Sequence, residues 1–127
     1  MRRLPLALVA CAITFMAEAA GPGSIEPKAL GDRIAWADQA LVVLDVRTPA
    51  EYAEGHVPGA INIPNGELAA RVAELADAKG RDIVVYCRSG VRAAQALDVL
   101  DKAGFKRLFH LQGDYNHWTE EQRPTVK

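Results

Sequence analysis

Short apolar runs alternate with helix-like segments along most of the chain. The runs are rich in β-branched residues, as in "LVVLDV" and "DIVVYC", and such runs are typical of strands buried in a parallel sheet. We predict strands at residues 41–46, 60–63, 82–86 and 106–111, with a further short strand at Ile25.

Between these runs, apolar residues recur at helical spacing. Leu30, Ile34 and Ala37 follow Pro27, a residue suited to the first turn of a helix. The sequence "TPAE", residues 48–51, is a capping box with proline at the first helical position, so it predicts a short helix. Further helices are predicted after a cap at Asn65, over residues 92–103 with Gly104 following, and at residues 114–122.

This alternation of strands and helices predicts the architecture. We expect a single α/β domain with a mainly parallel five-stranded sheet and helices on both faces. Ligands of such sheets bind beyond the carboxyl ends of the strands. One predicted strand ends directly before Cys87, so we expect the functional site at this edge of the sheet.

The N-terminal segment has the layout of a secretory signal peptide, with two arginines, an apolar run and small residues at "AEA". We predict that residues 1–19 are removed, that residues 20–24 form a flexible lead-in, and that residues 25–127 form the domain. The protein would then be exported, and we expect it in the periplasm. The alternatives are an uncleaved anchor and a lipid anchor on Cys11, since "LVAC" resembles a lipobox.

Composition and charge narrow the classes of partner. The chain has 127 residues, of which 50% are hydrophobic, and a formal net charge of -1, so it lacks the basic excess that nucleic acid or an anionic membrane would favour. The N-terminal apolar run is shorter than the roughly 20 residues of a membrane span, and we expect no stable membrane insertion of the mature chain. Removal of Cys11 would leave Cys87 as the only cysteine, which excludes an internal disulfide.

The segment after Cys87 has the features of an anion-binding loop. It is short, it contains Gly90, and it leads into a predicted helix whose N-terminus carries partial positive charge. Arg88 and Arg92 add full positive charge, so the loop favours thiolate over thiol. The alternative is a buried structural cysteine, but packing alone would not require the polar flank "RSGVR".

Two motifs resemble the signatures of the rhodanese (sulfurtransferase) family. "CRSGVRA" is similar to the family's active-site loop, and "LDVRTPAEYAEGHVPGAINIP" is similar to its other signature segment. The small exported members, such as the phage-shock sulfurtransferases, are the most similar kind. The resemblance implies that Cys87 takes the outer sulfur of thiosulfate as a persulfide, releases sulfite, and passes the sulfur to a thiophilic acceptor such as cyanide or a thiol, including a protein thiol.

The resemblance also implies the site residues. Cys87 is the catalytic nucleophile, Asp45 and Arg47 support the site, and no metal or cofactor is needed. The substrate-binding loop comprises Arg88, Ser89, Gly90, Val91 and Arg92. In the family an aspartate such as Asp45 pairs with the loop arginine, so we expect an Asp45–Arg92 ion pair. Whether Arg47 lies at the mouth of the site or faces solvent is left open.

The spacing within the loop argues against phosphate chemistry. Cysteine-dependent phosphatases resemble this loop but place arginine six positions after the cysteine, whereas Arg92 follows Cys87 by five. The phosphatase pattern also has histidine before the cysteine, where this chain has Tyr86. The remaining alternative of another class is a non-enzymatic rhodanese-like module that binds a partner or senses persulfide. The intact loop around Cys87 argues against that alternative.

One position departs from the family pattern. The family commonly ends with Gly-Gly and a tryptophan a few residues later, whereas "LQGDYNHW" places Asp114 at the second glycine. We expect Asp114 to cap the last helix; the alternative is that Asp114 and Tyr115 alter acceptor choice or access.

The remaining histidines and tryptophans are expected to be structural. We predict a turn role for His56 and core or core-edge positions for Trp36 and Trp118. His110 is expected at a strand end and His117 on the surface.

Overall fold

The computed structural model describes residues 2–3 and 21–127 of the chain. The predicted signal peptide, Arg2 and Arg3 apart, and the predicted lipid site at Cys11 lie outside the described residues. Within the described ranges, no helix has the length and apolar character needed to cross a membrane.

The centre of the domain is a parallel sheet of five strands. They are β1 (Gly23–Ile25), β2 (Leu41–Asp45), β3 (Ile61–Asn62), β4 (Asp82–Tyr86) and β5 (Leu108–Leu111). Their spatial order is β1-β5-β4-β2-β3, and every neighbouring pair is parallel. The predicted α/β fold with a five-stranded parallel sheet is therefore confirmed. Strand β1 includes Gly23 and Ser24, which the sequence assigned to the flexible lead-in.

Within residues 21–127, four α-helices connect the strands and a fifth follows β5. They are α1 (Pro27–Ala35), α2 (Pro49–Glu54), α3 (Leu68–Arg71), α4 (Val91–Lys102) and α5 (Asp114–Glu120). Helix α3 is one turn of α-helix between two 3-10 segments, Asn65–Glu67 and Val72–Ala78.

The predicted capping box at the start of α2 is present. The Thr48 hydroxyl accepts a hydrogen bond from the Glu51 N–H, and the Glu51 carboxylate accepts one from the Thr48 N–H, each at 3.2 Å. The predicted cap at Asn65 is wrong, because Pro64 occupies the capping position and Asn65 already belongs to the 3-10 turn. The Asn65 amide instead donates to the Gln95 side chain at 2.7 Å.

Helices cover both faces of the sheet, as predicted, and each face buries its own apolar cluster. One cluster joins Leu68 of α3 and Leu100 of α4 to alternate β4 residues, Ile83 and Val85. Cys87 continues that alternation and belongs to this cluster. The opposite cluster packs Leu30 of α1 and Trp118 of α5 against Val84 and Tyr86. The period of two along β4 therefore determines which face of the sheet the thiol enters.

The two tryptophans differ in environment. Trp118 is buried, and its indole N–H donates to the Pro124 carbonyl at 2.8 Å. Trp36 is 76% exposed, so its predicted core position is wrong. It lies at the C-terminal cap of α1, where the chain leaves the helix through the left-handed backbone of Ala37 and turns toward β2.

Candidate active site

Cys87 follows β4 directly and lies at the carboxyl edge of the sheet. The next helix, α4, begins at Val91, one residue before its predicted start. Between them the chain turns back, and the Gly90 N–H donates to the Cys87 sulfur at 3.0 Å. The Cys87 residue is only 1% exposed. The turn thus presents a backbone donor to a buried sulfur, which is the arrangement expected of a loop that stabilises negative charge there.

The turn depends on glycine at position 90. Gly90 has a φ of +122°, in a region that other residues rarely adopt. A Cβ at this position would approach an Asp114 carboxylate oxygen to 3.0 Å. Both the backbone angle and the available space therefore favour glycine, so the glycine predicted in the loop has a specific geometric role.

Helix α5 is anchored to the same loop. The N–H groups of Tyr115 and Asn116 donate to the carbonyl oxygens of Cys87 and Arg88 at 3.0 and 3.1 Å. The first N–H groups of a helix have no partner within the helix. These bonds therefore satisfy the N-terminal donors of α5 and also hold the loop in place. The position of the loop after Cys87 is thereby set by the C-terminal segment of the chain.

Arg92 pairs with Glu51, not with Asp45. Its guanidinium contacts both Glu51 carboxylate oxygens, at 2.7 and 3.2 Å. The hydrogen bond from Arg92 is the main reason that the pKa of Glu51 falls from 4.5 to about 2, and the same bond raises the pKa of Arg92. The predicted Asp45–Arg92 ion pair is therefore wrong, and the capping box of α2 supplies the partner of the loop arginine.

Asp45 is instead paired with Arg47, two residues further along the chain. Arg47 Nη2 lies 2.7 Å from Asp45 Oδ2, and its backbone N–H donates to Oδ1 at 2.9 Å. The Tyr86 hydroxyl donates to Oδ2 at 2.7 Å. Asp45 is fully buried, so this local pair and the phenol satisfy its carboxylate where Arg92 was expected.

Asp45, Arg47 and Tyr86 connect the end of β2 with the neighbouring segments of the chain. Arg47 Nη2 also donates to the Gly55 carbonyl at 2.7 Å, and its guanidinium lies 4.1 Å from the centre of the Tyr115 ring. Burial, and after it the charge of Asp45, raise the pKa of Tyr86. Arg47 is 4% exposed, so it does not face solvent. Its side chain is buried beside the site.

Asp114 does not cap the last helix; it contacts the cysteine. Gly113 is at the capping position, and Asp114 is the first residue of α5 with a left-handed φ of +56°. Its Oδ1 accepts a hydrogen bond from the Cys87 N–H at 3.0 Å and lies 3.7 Å from the Cys87 sulfur. His110 Nε2 lies 2.9 and 3.1 Å from the two carboxylate oxygens.

Sequence reasoning missed Glu51 and His110 as site residues, and it gave Asp114 a site role only as the alternative to helix capping. The departure of Asp114 from the family pattern was the signal for that alternative, since a carboxylate in place of glycine next to the loop changes its charge. His110 was assigned only to a strand end, although its contact with Asp114 is a local one between residues four apart, across the turn from β5 to α5. Glu51 was recognised only as a cap.

A surface cleft of about 370 Å³ borders the loop. Its lining includes Arg88, Tyr115 and Asn116 together with Arg47, Glu51 and Glu54. Ser89 is exposed, and Val91 is 70% exposed beside it. Among the described residues no ion pair neutralises Arg88, whereas Arg47 and Arg92 are each paired with a carboxylate. Arg88 is thus the cation available to an anion in this cleft.

A slightly larger groove, of about 420 Å³, lies elsewhere on the domain. It is lined by residues such as Arg33, Leu41 and Ile61 and includes none of the predicted site residues. Size alone would favour this groove, but its lining contains no residue of the loop that follows Cys87, whereas Arg88 of that loop lines the smaller cleft. The smaller cleft is therefore the candidate site.

Known proteins resemble this chain over most of its described length. The family model for the rhodanese-like domain matches residues 26–121. A sulfurtransferase of Allochromatium vinosum is 38% identical over 102 residues, which cover 80% of this chain and 92% of that protein. The thiosulfate sulfurtransferase PspE of Escherichia coli is 37% identical over 70 residues, covering 55% of this chain and 67% of that protein.

A solved structure supports the same relationship. The crystal structure of a rhodanese-related protein from Thermoplasma volcanium superposes with a TM-score of 0.72 at 33% identity, covering 82% of this chain and 97% of that chain. Several other curated relatives are longer, and the chain spans only 28% to 48% of their length.

Proposed function

Because the chain belongs to the rhodanese-like domain family, we propose that it is a sulfurtransferase that carries sulfane sulfur as a persulfide on Cys87. The sulfurtransferases among its relatives support sulfur transfer in general. The observation that carries the finer proposal is the 3.0 Å hydrogen bond from the Gly90 N–H to the Cys87 sulfur. A donor directed at a buried sulfur stabilises both a thiolate and the persulfide anion that replaces it.

The proposed reaction consists of two displacements. The Cys87 thiolate attacks the outer sulfur of thiosulfate, the S–S bond of thiosulfate breaks, and sulfite leaves with the electron pair. The outer sulfur remains as a persulfide anion on Cys87. A thiophilic acceptor such as cyanide then attacks that sulfur, thiocyanate leaves, and the thiolate is restored. This order predicts ping-pong kinetics and needs no second protein thiol.

Arg88 is the proposed contact for the sulfonate end of the donor. It lines the cleft beside the loop and is the arginine of the site without a carboxylate partner among the described residues. Arg92 contributes less than its position in the loop suggests, because Glu51 compensates its charge. Donor binding in this proposal therefore depends on one exposed guanidinium and the loop N–H groups.

Intact-protein mass spectrometry before and after thiosulfate treatment tests the proposal. We expect the native protein to gain the mass of one sulfur atom and lose it on addition of cyanide, with thiocyanate formed. The Cys87→Ser variant should gain nothing, and Asp77→Asn, an exposed change in the 3-10 segment that precedes β4, should behave as the native protein. A native protein that gains no sulfur would falsify the persulfide proposal.

Export to the periplasm is proposed on the N-terminal pattern alone. The mass of the chain recovered from a bacterial periplasm reports the start of the mature protein. A chain beginning near residue 20 supports removal of a signal peptide, and a lipid mass on a chain beginning at Cys11 supports the anchored alternative.

A further inference from the structure

We propose that His110 takes up a proton at Nδ1 as Cys87 loses its thiol proton, and that the Asp114 carboxylate between them makes Cys87 and His110 titrate as a coupled pair. This inference deepens the proposed function and rests on it in one respect: the thiolate is the form of Cys87 that attacks the sulfur donor. It gives Asp114 and His110 a role in the chemistry that the sequence did not assign to them.

A continuous path of polar atoms leads from the sulfur toward solvent. The Cys87 residue is 1% exposed, and its sulfur lies 3.7 Å from Asp114 Oδ1. The Asp114 side chain is 4% exposed and contacts His110 Nε2 at 2.9 Å. The His110 side chain is 29% exposed. The thiol is therefore buried, whereas the imidazole at the other end of the path can exchange protons with water.

Asp114 occupies a position where an acidic side chain is costly. Its left-handed backbone is one that glycine adopts freely and that aspartate adopts at some expense. A buried carboxylate is also unfavourable unless donors surround it. Here three donors do so: the Cys87 N–H, the Cys87 thiol and the His110 imidazole. Strain at a residue that touches the nucleophile points to a functional role.

The coupled exchange of protons conserves charge. In one state Cys87 is a thiol, Asp114 is a carboxylate, and His110 is neutral and donates its Nε2–H to Asp114. In the other, the S–H bond is broken and its proton has gone to water, Cys87 is a thiolate, and His110 has taken a proton from water at Nδ1 to become an imidazolium. Both states carry one net negative charge. The imidazolium compensates Asp114 while the thiolate, and then the persulfide anion, lies beside that carboxylate.

The direction of this coupling follows from the contacts. A lone carboxylate 3.7 Å from a sulfur opposes ionisation of the thiol, because like charges repel. A protonated His110 removes most of that repulsion. The hydrogen bond to Asp114 raises the pKa of His110, which favours the imidazolium that the thiolate state requires.

Other charges near the pair are fixed across the pH range of interest. Carboxylates and guanidinium groups keep their charge between about pH 6 and about pH 9. Arg92, which faces Cys87 from α4, is moreover paired with Glu51. On the side of Cys87, the remaining groups are Arg88 in the loop, Asp45 at the end of β2, Arg47 after it, Tyr86 of β4 and Tyr115 of α5. Beside His110 they are Asp98 and Asp101 of α4. The pH dependence is therefore assigned to Cys87 and His110.

The test measures the rate of Cys87 alkylation by iodoacetamide against pH, followed on the peptide that contains Cys87. Four proteins are compared: native, His110→Asn, Asp114→Asn and the double variant. We expect His110→Asn to move the midpoint to higher pH, and the rate at pH 7 to fall about tenfold for each pH unit by which the midpoint rises. In the Asp114→Asn background, where no charge remains to be compensated, His110→Asn should change the rate by less than about twofold.

Two outcomes overturn the proposal: an unchanged midpoint in His110→Asn, or the same change of midpoint from His110→Asn in both backgrounds. A structural role for His110 would alter the overall rate without this dependence on Asp114. Thermal unfolding followed by circular dichroism checks folding, and His110→Gln serves if His110→Asn does not fold. The ultraviolet absorbance of the thiolate, taken as the difference from the matching Cys87→Ser protein, gives the midpoint independently of reagent access.

The outcome is separable from that of the proposed function, because alkylation requires no sulfur donor. A protein with the coupled profile that accepts no sulfur from thiosulfate refutes the thiosulfate proposal alone. A protein that accepts sulfur but has a profile insensitive to His110 refutes the coupling alone.

Discussion

Arg92 Nη1 lies 2.7 Å from Glu51 Oε1, so the arginine at the start of α4 is paired with a capping-box residue of another helix. The same Glu51 oxygen accepts the Thr48 N–H at the start of α2. One carboxylate therefore connects the first turn of α2 with the first turn of α4. This connection holds the two walls of the site together and reduces the positive charge that the loop offers to an anion.

Glu51→Gln should strengthen binding of an anionic donor. Glutamine can preserve the capping box, while the charge of Arg92 loses its compensation. We expect a KM for thiosulfate lower by about fivefold or less, since a partly exposed charge is worth about 1 kcal/mol at most, and the effect should shrink with added salt. Thr48→Ala is the matched control, since it weakens the cap and leaves the ion pair; it should not lower KM. An unchanged KM in Glu51→Gln would show that Arg92 does not face the donor.

The Glu51–Arg92 pair should also affect stability at acid pH. The pKa of Glu51 is about 2 in the folded protein, below its ordinary 4.5. A lowered folded pKa contributes stability that is present above pH 4.5 and is lost as pH falls toward 2. Urea unfolding across this range should show a steeper loss in the native protein than in Glu51→Gln. Equal slopes would contradict the assignment.

Asp45→Asn should destabilise the fold strongly. It removes the charge that balances the buried guanidinium of Arg47, and breaking a buried pair costs about 3–5 kcal/mol. The control is Tyr86→Phe, which removes one hydrogen bond to the same carboxylate and the one accepted from the buried Val57 N–H, and should cost about 2 kcal/mol. Urea unfolding of both variants gives the comparison. A similar loss in the two would mean that the Asp45 charge contributes little beyond its hydrogen bonds.

Gly90→Ala should slow the loading of sulfur onto Cys87 in addition to destabilising the backbone. Gly90 and Gly59 both have positive φ, but only a Cβ at position 90 meets the Asp114 carboxylate. Gly59→Ala should therefore cost about 1–2 kcal/mol of stability and leave loading of Cys87 from thiosulfate unchanged. Gly90→Ala should be less stable still and load sulfur more slowly in the mass-spectrometric assay. Equal loading by the two variants would exclude the loop geometry as the cause.

Local sequence determined the elements and the place of Cys87. Apolar runs predicted the strands, the spacing of Thr48 and Glu51 predicted a capping box that the structure contains, and the end of β4 predicted a thiol at the carboxyl edge of a parallel sheet. These features depend on residues within one turn or one strand. Hydrogen bonding and packing at that range follow directly from residue type and spacing.

Tertiary structure decided which charged groups meet. Glu51 and Arg92 are 41 residues apart in sequence, and Asp114 and Cys87 are 27 apart. Sequence spacing does not determine which of these residues form pairs. The expected Asp45–Arg92 pair does not form, because Arg47 is the nearer partner of Asp45. The sheet order places β5 beside β4, and α5 follows β5, so Asp114 reaches the cysteine and His110 contacts Asp114. A charged side chain pairs with the oppositely charged group that lies nearest in space. Only the packed fold sets the distances between such groups.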